Sequence, residues 1–212
     1  NWTAENFNIT DGVETDPEGV MIQTPEWIQV GDNYHVPYKW GGFNTLDEFS
    51  SGLLENKFAG DRITDCSQNY CVSDYCIGVD CSGFVSRCWN LSTHYSTAMM
   101  DDDITIAYET WDDLNPGDAI HKVGHVRMVV FKNNDGSILT VEASGYDWKV
   151  SYRSYNLSQL TAYSPRYYQG MEGTAGSIPI PKLSSVIKED EIILNWRLND
   201  YDGISGFNIY GY

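Results

Sequence analysis

Basic residues are scarce in this chain of 212 residues, in which thirteen lysines and arginines stand against thirty aspartates and glutamates, for a formal net charge of −17. A surface this acidic repels nucleic acid and anionic lipid and tolerates or attracts cationic substrates. The same charge can also serve only to keep the protein soluble. Long apolar runs are lacking too, so we expect no membrane span. The composition therefore predicts a folded globular protein with no nucleic-acid partner and no transmembrane segment. We expect it to be a monomer.

Close C-x-x-C pairs are missing, which argues against a zinc site, and we expect no metal or cofactor. The chain begins at Asn1 without a methionine, which favours a processed secretory protein, extracellular or periplasmic. In such a chain, five cysteines suggest two disulfides and one free thiol. Cys81 is assigned below as the free thiol, and the three possible pairings of the others stay open. The disulfide candidates are Cys66, Cys71, Cys76 and Cys88.

Composition shifts divide the chain into a main domain, a Gly- and Pro-rich linker and a short C-terminal β segment. The C-terminal strands resemble part of a fibronectin type III domain but are too short for a whole one. They are predicted at 192–198 and 206–210. The predicted parts are a domain at 1–170 with an N-terminal arm at 1–36 and a loop-rich, cysteine-bearing insertion at 43–79, a linker at 171–182, and the β segment at 183–212.

An amphipathic helix is predicted to begin after Asp80, a good N-cap residue. Apolar residues then recur at helical spacing, and they form one stripe. A thiol in the first turn of this helix faces the positive end of the helix dipole, which favours the nucleophilic thiolate. The competing interpretation is a buried structural cysteine. The stripe consists of Cys81, Phe84, Val85, Cys88 and Trp89.

Two alternating segments, 125–131 and 137–143, predict a β-hairpin. A two-residue turn at Asn133-Asn134 would set His125 directly opposite Glu142, at a Cβ separation of about 5 Å. The other face would then be uniformly apolar and buried. A turn at Asp135-Gly136 would shift the pairing by four residues and separate the two side chains.

These three residue types suit acyl-transfer chemistry. Cys81 can attack a carbonyl carbon, while His125 takes the thiol proton and later protonates the leaving amine. Glu142 can fix the imidazole tautomer and stabilise the imidazolium. The backbone N–H of Cys81, at a helix N-terminus, can donate to the oxyanion.

Five short motifs, taken together and in order, resemble the NlpC-type cell-wall cysteine peptidases. The run Asp80-Cys81-Ser82-Gly83-Phe84-Val85 is similar to the family's nucleophile motif. The others are Pro37-Tyr38-Lys39-Trp40-Gly41-Gly42, Leu114-Asn115-Pro116-Gly117-Asp118, Gly124-His125-Val126 and Val141-Glu142-Ala143-Ser144.

This resemblance implies a papain-like α+β fold with the nucleophile helix packed on an antiparallel sheet. It implies hydrolysis of peptide bonds in bacterial peptidoglycan stem peptides, often at γ-D-glutamyl bonds. It also implies that Tyr38 donates to the oxyanion together with the Cys81 N–H, and that Trp40 and Ser82 contact substrate. The chain departs from the family at Glu142, where histidine is usual, and in its long insertion.

Two alternatives stay open. One keeps the triad but makes the reaction an amidase or acyltransferase step on another acyl substrate. The other is a catalytically inert cell-wall-binding module. A metal site at His121 and His125 is disfavoured, because their spacing makes a ligand pair on a helix and this segment is predicted as turn and strand.

Overall fold

The computed structural model describes residues 1–64, 71–171, 182–188 and 191–197, with only the backbone described for the last two ranges and for residue 102. The chain divides into two compact units, Asn1–Met171 and Glu172–Tyr212. Within its described residues, the first unit combines a few short helices with an antiparallel sheet. This confirms the predicted α+β class.

The N-terminal arm forms two small antiparallel pairs. Strand β1 (Trp2–Ala4) pairs with β4 (Gly31–Asn33), and β2 (Glu14–Thr15) pairs with β3 (Met21–Ile22). Apolar side chains of the arm share one core with the segment that was predicted as an insertion. That core contains Ala4, Ile28, Phe49, Leu53, Ala59 and Ile77.

The predicted insertion is more regular than its loop-rich composition indicated. Helix α1 (Leu46–Leu54) begins at a capping box, in which the Glu48 N–H donates to Thr45 Oγ1 at 3.1 Å and the Thr45 N–H donates to Glu48 Oε2 at 2.7 Å. Strand β5 (Phe58–Ala59) then runs parallel to β6 (Cys76–Ile77). The Thr-x-x-Glu spacing at residue 45 is the signal that marks this helix start.

A six-stranded sheet forms the second half of the unit, and each neighbouring pair in it is antiparallel. Its strands, in spatial order, are β11 (Lys149–Tyr155), β10 (Ile138–Ser144), β9 (His125–Lys132), β8 (Ala119–Lys122), β12 (Ser164–Tyr168) and β7 (Thr105–Ala107). Helix α2 (Cys81–Cys88) precedes the sheet, and α3 (Thr97–Met99) continues into a π-helical turn at Met100–Ile104. Short 3-10 turns cover Asn6–Asn8, Trp111–Asp113 and Leu157–Gln159.

Helix α2, which begins at Cys81, packs on this sheet. Val85 and Trp89 share a buried cluster with Ala119 of β8 and Val126 of β9. Of the predicted apolar stripe, Cys81, Val85 and Trp89 are buried, Phe84 is half-buried and Cys88 is exposed.

The second unit contains two described strands, β13 (Lys182–Lys188) and β14 (Glu191–Arg197), which pair antiparallel. Strand β14 confirms the strand predicted at 192–198, to within a residue at each end. The strand predicted at 206–210 and nearly all of the linker at 171–182 lie outside the described residues. Among the described helices, none has the length and apolarity to cross a membrane.

Candidate active site

Cys81 occupies the first turn of α2, as predicted. Asp80 is the N-cap residue, and its Oδ1 accepts the Gly83 N–H at 2.6 Å. The thiol is 9% exposed and lies against the start of β9, where the Val126 backbone N–H is placed to hydrogen-bond the sulfur. Because His125 immediately precedes Val126, the helix start and the histidine strand meet at this point.

The surroundings of the thiol favour its protonated form. Burial, followed by the negative charge of Asp80, raises the pKa of Cys81 to about 11, although hydrogen bonds from backbone N–H groups, that of Val126 foremost, act in the opposite direction. The helix N-terminus therefore does not by itself yield the thiolate that the sequence favoured. A thiol with this pKa becomes a useful nucleophile only when a neighbouring base takes its proton.

The hairpin that carries the histidine has a different register from the one predicted. The loop spans residues 133–137, where Asn133 N–H donates to the Ser137 carbonyl at 2.7 Å. Lys132 pairs with Ile138 and Phe131 with Leu139. A bulge follows, after which Val129 pairs with Thr140 and Met128 with Val141. The predicted direct opposition of His125 and Glu142 is therefore wrong, and continuing this register sets Glu142 opposite Arg127.

His125 and Glu142 meet nevertheless, as diagonal neighbours on one face of the sheet. The His125 Nε2–H donates to Glu142 Oε2 at 2.5 Å. Diagonal positions on adjacent strands are about 7–8 Å apart, within reach of two long side chains. With Nε2 engaged by Glu142, a proton transferred to this ring would have to arrive at Nδ1.

Glu142 lies on a face that was expected to be open. Its side chain is 1% exposed, and Ile138 and Thr140 on the same face of β10 are fully buried. Val126 and Ala143, on the face predicted as the buried one, are buried as well. Both faces of the hairpin are thus covered, because a second cluster of Leu114, Ile120, Val129, Ile138 and Leu160 covers the face opposite to α2.

Three side chains donate to the Glu142 carboxylate. Besides His125, Tyr155 Oη donates to Oε1 at 2.7 Å, and Arg127 Nε lies 3.1 Å from Oε1 and 3.0 Å from Oε2. Burial acts to raise the pKa of Glu142, but the hydrogen bonds from His125 and Tyr155 and the charge of Arg127 outweigh it and hold the pKa below its ordinary value. The residue is therefore a carboxylate at neutral pH. Sequence reasoning missed Arg127 and Tyr155, although Arg127 shares its strand face with His125 by simple alternation.

Tyr38 lies near enough to Cys81 and Asp80 for their charges to act on its hydroxyl. Its backbone is held by the segments that precede α2 and β11, since Tyr38 N–H donates to the Trp148 carbonyl at 2.9 Å and Lys39 N–H donates to the Val79 carbonyl at 3.0 Å. Burial raises the pKa of Tyr38, as do the negative charges of Cys81, when ionised, and of Asp80. Its hydroxyl therefore stays protonated and able to donate. Trp40 packs half-buried in the same cluster, and its contact with substrate stays a prediction.

The glycine-containing motifs at 37–42 and 80–85 are in direct contact. Gly42 accepts the Asp80 N–H through its carbonyl at 3.0 Å, and a Cβ added at Gly83 would overlap that same carbonyl oxygen. Gly42 is equally confined, because its own Cβ would come within 2.6 Å of the Gly78 carbonyl. This close approach sets the turn at residues 41–42 on the N-terminus of α2.

Ser82, predicted to contact substrate, is buried and already hydrogen-bonded. Its hydroxyl donates to Asp80 Oδ1 at 2.9 Å and accepts from His94 Nε2 at 3.0 Å. His94 also lies 3.2 Å from Asp80 and stacks on Phe43. No spacing rule links residue 94 to the helix start, so the sequence offered no signal for this histidine.

Two of the disulfide candidates are free thiols. Cys76 is buried on β6, and Cys88 is exposed at the end of α2. Because both are free, the prediction that they form disulfides is wrong. Cys66 lies outside the described residues, and Cys71 is not among the free cysteines. The participation of Cys66 and Cys71 in a disulfide stays a prediction.

His121 is buried away from His125. Its Nε2 donates to the Thr97 carbonyl at 2.7 Å, and its Nδ1 lies 3.7 Å from Asp101. Within the described ranges, no group of three ligand-type side chains is placed to hold a metal ion.

A cavity of about 440 Å³ lies next to the turn at residues 41–43. Its lining comes from the predicted insertion together with Lys39, Gly41 and Arg87. Of the described residues around it, Cys81 and His125 are not part of this lining. The insertion thus lines a space beside α2 rather than over Cys81.

Comparison of the chain with models of protein families, with curated proteins and with solved structures gave no match in any of the three.

Proposed function

We propose that this chain is a secreted cysteine peptidase of papain-like arrangement that hydrolyses peptide bonds in bacterial peptidoglycan stem peptides. The observations that support it best are the His125–Glu142 hydrogen bond of 2.5 Å and the Val126 N–H, one residue along the same strand, which is placed to hydrogen-bond the Cys81 sulfur. A buried acid, a histidine and a cysteine at a helix N-terminus form the set that nucleophilic acyl transfer needs.

In the proposed reaction, His125 Nδ1 takes the thiol proton as Cys81 attacks the scissile carbonyl. The tetrahedral oxyanion accepts hydrogen bonds from the Cys81 N–H and from the Tyr38 hydroxyl. Collapse breaks the C–N bond, the imidazolium gives its proton to the leaving amine, and a thioester remains. Water, deprotonated by His125, then hydrolyses the thioester and regenerates the thiol.

The substrate class follows from the motif resemblance and from charge. Stem peptides that contain a diamino acid carry ammonium groups, which a chain of net charge −17 attracts. The positions of Asp80 and Ser82 beside the nucleophile are compatible with this class, although His94 bonds to both of them. A substrate that contacts Asp80 or Ser82 therefore has to displace His94, or it has to bind at other residues near Cys81.

The test is digestion of purified peptidoglycan by the wild-type protein and by Cys81→Ala, with fragments identified by mass spectrometry. New stem-peptide fragments from wild type alone are expected, and their termini name the bond. If neither protein releases fragments while Cys81 alkylates rapidly near neutral pH, the enzyme acts on another acyl substrate, as an amidase or acyltransferase. If no fragments are released and the Cys81 thiol is also unreactive, the chain is an inert binding module and the proposal is overturned.

A further inference from the structure

Glu142 accepts more hydrogen bonds than are needed to orient the His125 imidazole. Its Oε2 is 2.5 Å from His125 Nε2 and 3.0 Å from Arg127 Nε, while its Oε1 is 2.7 Å from Tyr155 Oη and 3.1 Å from Arg127 Nε. One hydrogen bond to the histidine would fix the ring. The remaining contacts act on the carboxylate itself.

Arg127 is fixed in place beside that carboxylate. Its side chain is 10% exposed, and its guanidinium carbon lies 4.4 Å from the centre of the Tyr155 ring and 4.2 Å from that of Tyr163. Stacking between two aromatic faces keeps the cation from turning into solvent. Its Nη1 is buried without a hydrogen-bond partner among the described residues.

An uncompensated carboxylate at this distance from an imidazole would hold the imidazolium tightly or share its proton. Either outcome impairs a histidine that must accept a proton from a thiol and then release it to a leaving amine. A cation and a hydroxyl donor on the carboxylate reduce its basicity. We infer that Arg127 and Tyr155 are positioning residues that keep Glu142 ionised but weakly basic, and so set the pH range in which His125 exchanges protons with Cys81.

Other charged groups near the pair are weaker influences. From β11, Arg153 Nε lies 3.8 Å from Glu142 Oε1, but Arg153 Nη2 is tied to Asp147 at 2.9 Å. From β8, Lys122 is the backbone partner of His125, and its ammonium lies over Tyr163 at 4.7 Å. From α2, Cys81 faces the strand start. Among these cations, only Arg127 lies within hydrogen-bond distance of the carboxylate.

The direction of the effect follows from charge. This inference rests on the proposed function, because it concerns the same cysteine and histidine. Replacing Arg127 by glutamine leaves the site one charge more negative, so both His125 and Cys81 bind protons more tightly. The pH profile of Cys81 alkylation has an acid limb, set by loss of the thiol proton, and an alkaline limb, set by loss of the imidazolium proton. Both limbs should move to higher pH, by about one pH unit or more for a charge at contact distance. Tyr155→Phe removes a donor but no charge and should shift both limbs in the same direction by less.

The experiment measures the rate of Cys81 alkylation by iodoacetamide from pH 4 to 10, resolved by peptide mass spectrometry. The variants are Arg127→Gln, Arg127→Lys and Tyr155→Phe, each checked for folding by near-UV circular dichroism. Lys132→Gln is the matched control, since it removes one charge from the same strand where Lys132 pairs with Asp112 at 2.8 Å. We expect an upward shift for Arg127→Gln, partial restoration with lysine, and a Lys132→Gln profile that superimposes on wild type.

Equal profiles for Arg127→Gln and wild type, or an equal shift in the Lys132→Gln control, would overturn the inference while leaving the peptidase proposal intact. If Arg127→Gln does not fold, Tyr155→Phe decides, and an unshifted profile for it counts against the inference. A different result marks failure of the proposed function: wild-type reactivity that only climbs toward a pKa of about 11 shows that no proton reaches His125. The inference then falls with the proposed function.

Discussion

Replacing His125 by alanine removes the imidazole that is proposed to take the proton of the Cys81 thiol. With a pKa of about 11, only about one thiol in 10⁴ is ionised at pH 7, whereas the proposed proton transfer to His125 would make thiolate the main form in the wild type. The more basic thiolate of the variant is also more nucleophilic, with a Brønsted slope of about 0.4–0.5, which recovers roughly two powers of ten. The net expectation is that Cys81 alkylates about 10- to 100-fold more slowly in His125→Ala at pH 7.

The pH dependence is the sharper part of this measurement. The variant's rate should rise about tenfold per pH unit up to pH 11, while the wild-type rate levels off near neutrality. His94→Ala is the control, because His94 is the other histidine near the helix start yet bonds to Ser82 rather than to Glu142. Parallel profiles for wild type and His125→Ala would refute His125 as the base. A loss confined to His94→Ala would assign that role to His94.

Three further outcomes can be measured. Tyr38→Phe should lower kcat about 10²- to 10³-fold with little change in KM or thermal stability, if its hydroxyl donates to the oxyanion, and an unchanged kcat assigns the ring to packing alone. Gly83→Ala should destabilise the fold by several kcal/mol in chemical unfolding, since its Cβ overlaps a backbone carbonyl, whereas Gly145→Ala meets only the Trp148 ring at 3.3 Å and should cost less. The lowered pKa of Glu142 means that its ionisation stabilises the fold above the unfolded-state pKa of about 4.3, and that this contribution is lost as the pH falls through the lowered folded-state pKa. The melting-temperature gap between wild type and Glu142→Gln should therefore narrow between pH 6 and pH 3, and a constant gap would contradict the reasoning.

The histidine–glutamate contact could be predicted from alternation even though the register could not. The observed loop sets a pairing in which Glu142 would lie opposite Met128, on the helix face of the sheet. The bulge at Leu139/Thr140 shifts the pairing by one residue and returns Glu142 to the face of His125. Strand alternation thus gave the right face, while the bulge that produces it has no signature in the sequence.

Other parts of the site depend on contacts between distant segments. Tyr155 reaches Glu142 from the next strand, and His94 reaches Ser82 across the turn after α2. Helix α2 followed from local signals, because a cap and a periodic stripe are properties of neighbouring residues. The free state of Cys76 did not follow, since spacing along the chain says little about which thiols the fold brings together.

The contact between Gly42 and Gly83 bears on how much the sequence motifs reveal. The Trp-Gly-Gly turn and the Asp-Cys-Ser-Gly helix start are two sides of one backbone crossing, in which the Gly42 carbonyl fills the space that a side chain at residue 83 would need. Their joint presence is therefore one geometric requirement seen twice, rather than two separate signs of catalysis. A descendant that had lost Cys81 chemistry would still need both glycines to fold. Thiol reactivity, and not motif matching, is consequently the measurement that separates an enzyme from a module that has kept only its scaffold.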